Sequence, residues 1–384
     1  MEKKKILIFI DWFLPGYNAG GQIPSVANII KYNKDLYDFH VITSDTDLGA
    51  KSSYPDIESD KWIKKYGATI YYADLETLSA KKMKSLIHFV SPDLVYFNSL
   101  FSIKFTLIPL VISKYHLKIK EIVLAPRGML GTGALQLKAF KKRSFISLTK
   151  SLGLFNDVIW HASSEIEKKE IESNFKELKE VRVALDIPNV PSELNLLQKI
   201  EKEKDSLKVF FISRISPKKN LLFAIKILSK IKPLYDITFT IIGPVEDKLY
   251  WKSCELEISK LPKNIKVEYL GVLESHKINQ YLTFNQHVFL FPTFSENFGH
   301  VIAESMFSGC PVILSDNTPW RNLENSNAGW DFSLNEEGKF VEKIEYFASI
   351  TQEDFNIFAK GAFAFGKEFC LNPSVLGANR MLFE

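Results

Sequence analysis

Residues 291–316 read FPTFSENFGHVIAESMFSGCPVILSD, with two carboxylates, Glu296 and Glu304, around the short run Asn297, Phe298, Gly299 and His300. An ionised carboxylate only accepts hydrogen bonds and can take two O–H donors. A glycine before a helical pattern exposes backbone N–H groups, which favour an anion. Together these groups suit a ligand that carries both hydroxyls and phosphates. A second reading stays open on spacing alone. Thr293 to Glu296 fits a Ser/Thr-x-x-Glu capping box, and Glu304 would then balance the dipole of the first turn. That reading places Asn297 and Gly299 inside a helix, at a cost of about 1 kcal/mol.

A second cluster, SRISPKKNLLFAIKIL at 213–228, brings Arg214, Lys218 and Lys219 just before an apolar helical pattern. Arg forks onto phosphate oxygens and Lys supplies a compact charge, so the group suits a pyrophosphate. The alternative is a solvated basic loop, although cations at a helix start oppose the macrodipole. Near the N-terminus, DWFLPGYNAGGQIPSVANII (11–30) holds Gly20 and Gly21 before another helical pattern. It is an anion-binding loop or a tight turn, and matches neither G-x-G-x-x-G nor a P-loop. The Asp-x-Asp of SDTD (44–47) could ligate a divalent cation but reads more simply as a turn. The seven histidines show no metal spacing, so no metal is expected.

Residues 122–156 contain no acid, yet hold Arg127, Lys138, Lys141, Lys142, Arg143 and Lys150 among Leu and Phe. A basic helix over 134–152 fits an anionic membrane surface, or else a solvated helix with its apolar stripe in the core. A net charge of +4 and the lack of an aromatic-rich recognition motif argue against nucleic acid. No run of eighteen apolar residues occurs, and three distant cysteines make no disulfide framework. The start of the chain reads as a strand rather than a signal peptide, which predicts a cytoplasmic protein. The basic helix would then offer it a peripheral contact with the inner face of the plasma membrane.

The elements that must position these groups are legible. Apolar runs at 5–10, 39–44, 68–73, 93–98, 121–126 and 157–162 alternate with helical patterns. A polar connector follows, and the alternation resumes at 208–213, 237–243, 265–271, 287–292 and 311–316. This predicts two Rossmann-like α/β domains with parallel sheets. The expected boundaries are 1–190, a linker at 191–207, a second domain at 208–370, and a terminal helix at 371–384. The site residues all follow strands, where open parallel sheets bind ligands.

ENFGHVIAE resembles the Glu-x7-Glu signature of retaining glycosyltransferase family 4, and ISRISPKKNL is similar to that family's phosphate-binding stretch. PGYNAGGQIPSVANI resembles its N-terminal glycine loop. LAPRGML, HASSEIE and IPNV are similar to a bacterial branch that builds surface polysaccharides. The resemblance implies a GT-B fold, two Rossmann-like domains facing across a cleft, with the last helix crossing back to the first. It also implies metal-independent transfer, without a cofactor, from a nucleotide-diphosphate sugar to a glycan or polyprenyl-linked glycan. On this basis Glu296 binds hydroxyls of the donor sugar and Glu304 those of the ribose. Arg214 and Lys219 stabilise the departing diphosphate, and the amides around Phe298 to His300, with Asn297, hold sugar or phosphate. Gly20 and Gly21 lie against acceptor and phosphate, with Asn98 and Arg127 on the acceptor side. Asn98 stands where the family often has a histidine, and an amide cannot act as a general base. IPNV also lacks the glycine that often follows Pro-Asn. A nucleotide-sugar epimerase of the same fold and a polyanion-binding protein are the rival readings.

Overall fold

The computed structural model describes residues 3–131, 135, 139–191, 200–273 and 275–384. Within them the apolar runs become strands, most of them covered on both faces and therefore apolar rather than alternating; the run 265–271, at a sheet edge, alternates and is mostly exposed. The chain divides into two compact units, Met1–Ile187 with Leu371–Glu384, and Pro188–Cys370.

The first unit contains β1 (Lys4–Phe9), α1 (Gln22–Asn33), β2 (Tyr37–Ser44), β3 (Trp62–Lys65), β4 (Ala68–Ala73), α2 (Ala80–Val90) and β5 (Leu94–Phe97). It continues through α3 (Ile108–Val111), flanked by π turns at Ile103–Leu107 and Ile112–His116, then β6 (Glu121–Leu124) and α4 (Ala139–Ser151). β7 (Ile159–Ala162), α5 (Glu165–Asn174) and β8 (Glu180–Val183) complete its sheet, in the order β3-β4-β2-β1-β5-β6-β7-β8. All neighbours are parallel except β3, which runs antiparallel to β4 at the edge.

The second unit contains β9 (Ser206–Ile212), α6 (Leu221–Leu228), β10 (Asp236–Ile242), α7 (Lys248–Ile258), β11 (Ile265–Gly271), α8 (Ser275–Asn285), β12 (Val288–Phe291), α9 (His300–Phe307), β13 (Val312–Ser315) and β14 (Gly329–Phe332). Its parallel sheet has the order β11-β10-β9-β12-β13-β14, closed by α10 (Glu337–Ser349) and α11 (Gln352–Leu371). Stacked rings of Phe210 and Phe289, 5.0 Å apart, fill its centre. β9 begins at Ser206, two residues before the expected start, and 192–199 of the expected linker lie outside the described residues.

At the end of α11, Asn372 and Pro373 break the helix, and Asn372 caps α12 (Pro373–Met381) by accepting from Val375 N at 2.9 Å. Pro at the first helical position has no N–H to leave unpaired there. α12 belongs to the first unit: Asn379 Nδ2 donates to Leu185 O at 2.9 Å, and Phe383 packs on Tyr37, Phe39 and Tyr96. Among the described residues no helix is long and apolar enough to cross a membrane.

Candidate functional site

Each strand order reverses direction at a central pair, β9 and β12 in the second unit and β1 and β5 in the first. Ligands of open α/β sheets bind beyond the carboxyl ends at such a switch point. Most of the residues singled out from the sequence leave these four strands.

After β9 the chain forms a single 3-10 turn, Pro217–Lys219, before Asn220 adopts a left-handed conformation at φ 58° and α6 begins. Lys218 and Lys219 therefore belong to this separate turn, directly before the Asn220 N-cap of α6. The turn is stitched to the loop after β12. Asn220 Nδ2 donates to Pro292 O at 2.9 Å, and Lys218 O accepts from Phe294 N at 3.0 Å and from Thr293 Oγ1 at 3.2 Å. These bonds place Lys219 Nζ on Glu296 Oε2, with side chains only 11% and 17% exposed. Burial alone would raise the Glu296 pKa, but Lys219, Lys218 and the Asn297 amide hold it below the usual carboxylate range. Because the folded value is the lower one, this contribution to stability is present at neutral pH and is lost only as pH falls through it.

The capping box does not form. Thr293 Oγ1 accepts from Ser295 N at 3.3 Å, while Glu296 N donates to Asn317 O at 3.0 Å. α9 starts instead at His300, with Gly299 before it at φ 84° and no side-chain cap. A Cβ on Gly299 would lie 2.7 Å from Ile302 Cδ1 and 3.0 Å from Glu296 Cγ, so only glycine lets the loop fold back on the glutamate. Beside it, Asn297 Nδ2 is buried without a partner. Phe298 is buried against Trp320, whose Nε1 donates to the Phe298 carbonyl. The Phe298 side chain thus anchors the loop. His300 sits at the first position of α9, half-buried, its ring 4.8 Å from that of Phe298.

Glu304 lies one turn into α9, half-buried, with no donor to its carboxylate among the described residues. Burial pushes its pKa up to about 7, opposed only by His300. A carboxyl whose oxygens take no donor from the described residues can accept both hydroxyls of a vicinal diol. Arg214 does not join Lys219 and Glu296. Its Nη1 pairs with Glu246 Oε1 at 2.7 Å, and both side chains are exposed. That pair is worth about 0–1 kcal/mol, so a diphosphate can take the guanidinium from it.

In the first unit, Gly20 has φ 74° whereas Gly21 is helical at φ −54°. Only Gly20 is required by conformation. Asp47 Oδ2 accepts from Tyr17 N at 3.0 Å and Asn18 N at 3.2 Å, and Asp45 Oδ2 from the Ser53 and Ser59 hydroxyls. Asp47 thus braces the glycine loop and Asp45 the segment 53–59, which is the turn reading of that stretch.

Asn98, after β5, and Arg127, after β6, meet: Arg127 Nε donates to Asn98 Oδ1 at 2.7 Å. Arg127 is also paired with Asp186 and donates from Nη2 to Tyr96 Oη at 2.8 Å. His161 Nε2 bonds Ala184 O at 2.8 Å, which fixes the proton there, so Nδ1 accepts from Tyr96 Oη at 2.7 Å. Burial and Arg127 lower the His161 pKa to about 4, consistent with a neutral ring. Arg127 is therefore neither a surface cation of the basic stretch nor a free charge for an acceptor. Of that stretch, residues 132–134 and 136–138 lie outside the described residues.

Sequence reasoning missed Asp186, Tyr96, His161, Glu167 and Glu246. Only Glu167 had a signal, the Ser164-x-x-Glu167 box: Ser164 Oγ accepts from Glu167 N at 3.1 Å, and the carboxylate reaches Ser163 N at 2.7 Å and Gly128 N.

Two Rossmann-like parallel sheets in one chain define the GT-B fold, and comparison with solved structures gives the same class. The chain is similar to Anabaena Alr3699/HepE in complex with UDP-glucose (17% identity, 98% of each chain, TM-score 0.67). It is also similar to a glycosyltransferase from Rickettsia africae ESF-5 (16%, 100% and 98%, TM-score 0.69) and to the lipopolysaccharide outer core galactosyltransferase WaaB (15%, 98% of each, TM-score 0.60). Residues 193–361 match the family model Glycosyl transferases group 1, so the second unit carries a glycosyltransferase domain of that group. No curated protein matches the sequence.

Proposed function

We propose that the protein is a retaining, metal-independent glycosyltransferase that moves a sugar from a nucleotide-diphosphate donor to a lipid-linked or growing surface glycan at the cytoplasmic face of the membrane. The observation that carries this reading is the buried Lys219–Glu296 pair at the switch point of the second unit, followed on α9 by the Glu304 carboxyl, which has no donor among the described residues. Glu304 takes the ribose hydroxyls and Glu296 those of the sugar, while the amides of Phe298 to His300 and the Asn297 side chain bind sugar or phosphate. Lys219 and Arg214 meet the charge that grows on the departing diphosphate, the role a divalent metal plays elsewhere. Gly20 and Gly21 face the acceptor, while Asn98, buried and bonded to Arg127, supports that side from within. Similarity to a UDP-glucose complex and to a lipopolysaccharide enzyme supports the donor and acceptor classes.

Thermal shift against UDP- and GDP-sugars identifies the donor, since a ligand at a hundred times its Kd adds about 2.7 kcal/mol. Transfer to a polyprenyl-linked glycan in the presence of chelator, with the product anomer read by NMR, then tests the reaction. Retention of configuration and loss of turnover in Glu296→Gln are expected. An inverted product, isomerised donor without acceptor, or unimpaired Glu296→Gln would overturn the assignment.

A further inference from the structure

The helix α4 carries two apolar faces, and the fold uses only one. Ile146 and Thr149 are buried, and the Phe145 ring packs 5.1 Å from that of Phe101, which satisfies the inward side. On the other side Phe140 is 85% exposed, Leu148 60% and Leu152 65%. Their spacing of eight and four residues sets them in one stripe, with Ser144, Ser147 and Ser151 between them. Lys141, Arg143 and Lys150 are exposed along the same helix. Alongside runs the helical stretch 103–116, held by Lys142 over the Phe101 ring and by Lys114 Nζ bonded to Gly153 O at 3.3 Å and Leu154 O at 3.2 Å. It adds two further exposed apolar side chains, Ile103 at 65% and Tyr115 at 53%. No acid occurs between residues 122 and 156, and the next one, Asp157, is paired with Lys114 at 3.1 Å.

We infer that this face of α4 seats on an anionic lipid bilayer, with Phe140, Leu148 and Leu152 entering the acyl boundary and Lys141, Arg143 and Lys150 meeting the headgroups. Charge complementarity chooses the occupant. A second copy of the chain would bring the same cations against each other, and a nucleic acid would leave three large apolar side chains without a partner. A bilayer satisfies both sets at once, which is the pattern of an interfacial helix. The inference deepens the proposed use of a lipid-linked acceptor, but it is tested without donor or acceptor.

The test is flotation of the full chain with vesicles of phosphatidylcholine alone or mixed with phosphatidylglycerol. Binding only to the mixed vesicles, weakened by salt, is expected. The variant F140S/L148S/L152S should lose vesicle binding at least about tenfold, and each of K141Q, R143Q and K150Q should weaken it roughly fivefold. A thermal shift with nucleotide-sugar, unchanged in these variants, shows that the second unit is intact and separates failure here from failure of the enzymatic reading. Should the serine variant unfold, the glutamine variants carry the test alone. Absence of binding to mixed vesicles, equal binding by the serine variant, binding to RNA that ignores the three apolar residues, or self-association abolished by the serine changes would each overturn the inference.

Discussion

Two buried ion pairs occupy related places, one in each unit, and they differ in what surrounds them. Arg127 with Asp186, past β6 and β8, has side chains 7% and 9% exposed; Lys219 with Glu296, past β9 and β12, has 11% and 17%. In the first pair the guanidinium is fully engaged: Asn98 Oδ1 and Tyr96 Oη take its remaining edges and His161 ends the chain on a backbone carbonyl, although Asn98 Nδ2 is buried without a partner. On the stretch that carries the second pair, Asn297 Nδ2 is buried without a partner and Glu304, one turn into α9, has no donor to its carboxylate among the described residues. Both pairs are largely buried, yet their surroundings differ. The first has every edge of its cation engaged within the unit, whereas the stretch that carries the second also holds a carboxylate, Glu304, with no donor among the described residues.

The largest effects follow from breaking each pair. Asp186→Ala leaves a buried guanidinium without its counter-charge and should cost about 3–5 kcal/mol of stability. Arg127→Met with Asp186→Leu, apolar at both positions, should recover most of that loss. Lys219→Ala should instead lower turnover by about 10²–10³, as removing a group that stabilises transition-state charge does, with a smaller fall in Tm. Denaturation midpoints and kcat measured on the same variants decide the matter. If Asp186→Ala kept its stability and lost transfer as Lys219→Ala does, the contrast between the two pairs would collapse.

A smaller effect separates Glu304 from both pairs. Its folded pKa of about 7 lies above the ordinary carboxylate value, so the folded state holds the proton more tightly than the unfolded chain. Stability of the free protein therefore declines as pH rises from the ordinary value to about 7. Ligand binding should run the other way, because the ionised carboxylate is the form that accepts two hydroxyl donors. Between one unit below and one unit above that pKa, nucleoside diphosphate affinity should rise about tenfold. Glu304→Gln should flatten this profile and raise the Tm of the free protein at alkaline pH. A profile unchanged by the substitution would remove Glu304 from the site.

The same contrast explains what could be read in advance. All eleven apolar runs became strands, ten of them because a strand covered on both faces must be largely apolar; the eleventh, the edge strand β11, is mostly exposed and alternates Lys266 and Glu268 with apolar residues. The three strands missed, WIKK at β3, EVRV at β8 and GWDF at β14, are all edge strands, where charge and glycine are tolerated. The second unit's site was legible because its residues lie on two short stretches whose types conflict with local structure, cations before a helix and a glycine between two acids. The Arg127 network was not, since Tyr96, Arg127, His161 and Asp186 come from four separate segments and each is ordinary where it stands. Only the register of β5, β6, β7 and β8 brings them together.

The finest test concerns the exposed pair of Arg214 with Glu246, in which a cation of the second site is held away from Lys219. An exposed pair contributes about 0–1 kcal/mol, so Glu246→Gln should change Tm very little. It should nevertheless tighten nucleoside diphosphate binding by up to about fivefold, because Arg214 no longer has to leave a carboxylate to reach phosphate. The gain should shrink at high salt, which already screens the exposed pair, and vanish in the background of Arg214→Ala. Calorimetric titration of the four proteins of this double-mutant cycle gives the coupling directly. Weaker binding by Glu246→Gln in either background would mean that the Glu246 carboxylate itself contacts the donor, and Arg214 would then be its positioning partner rather than a phosphate ligand.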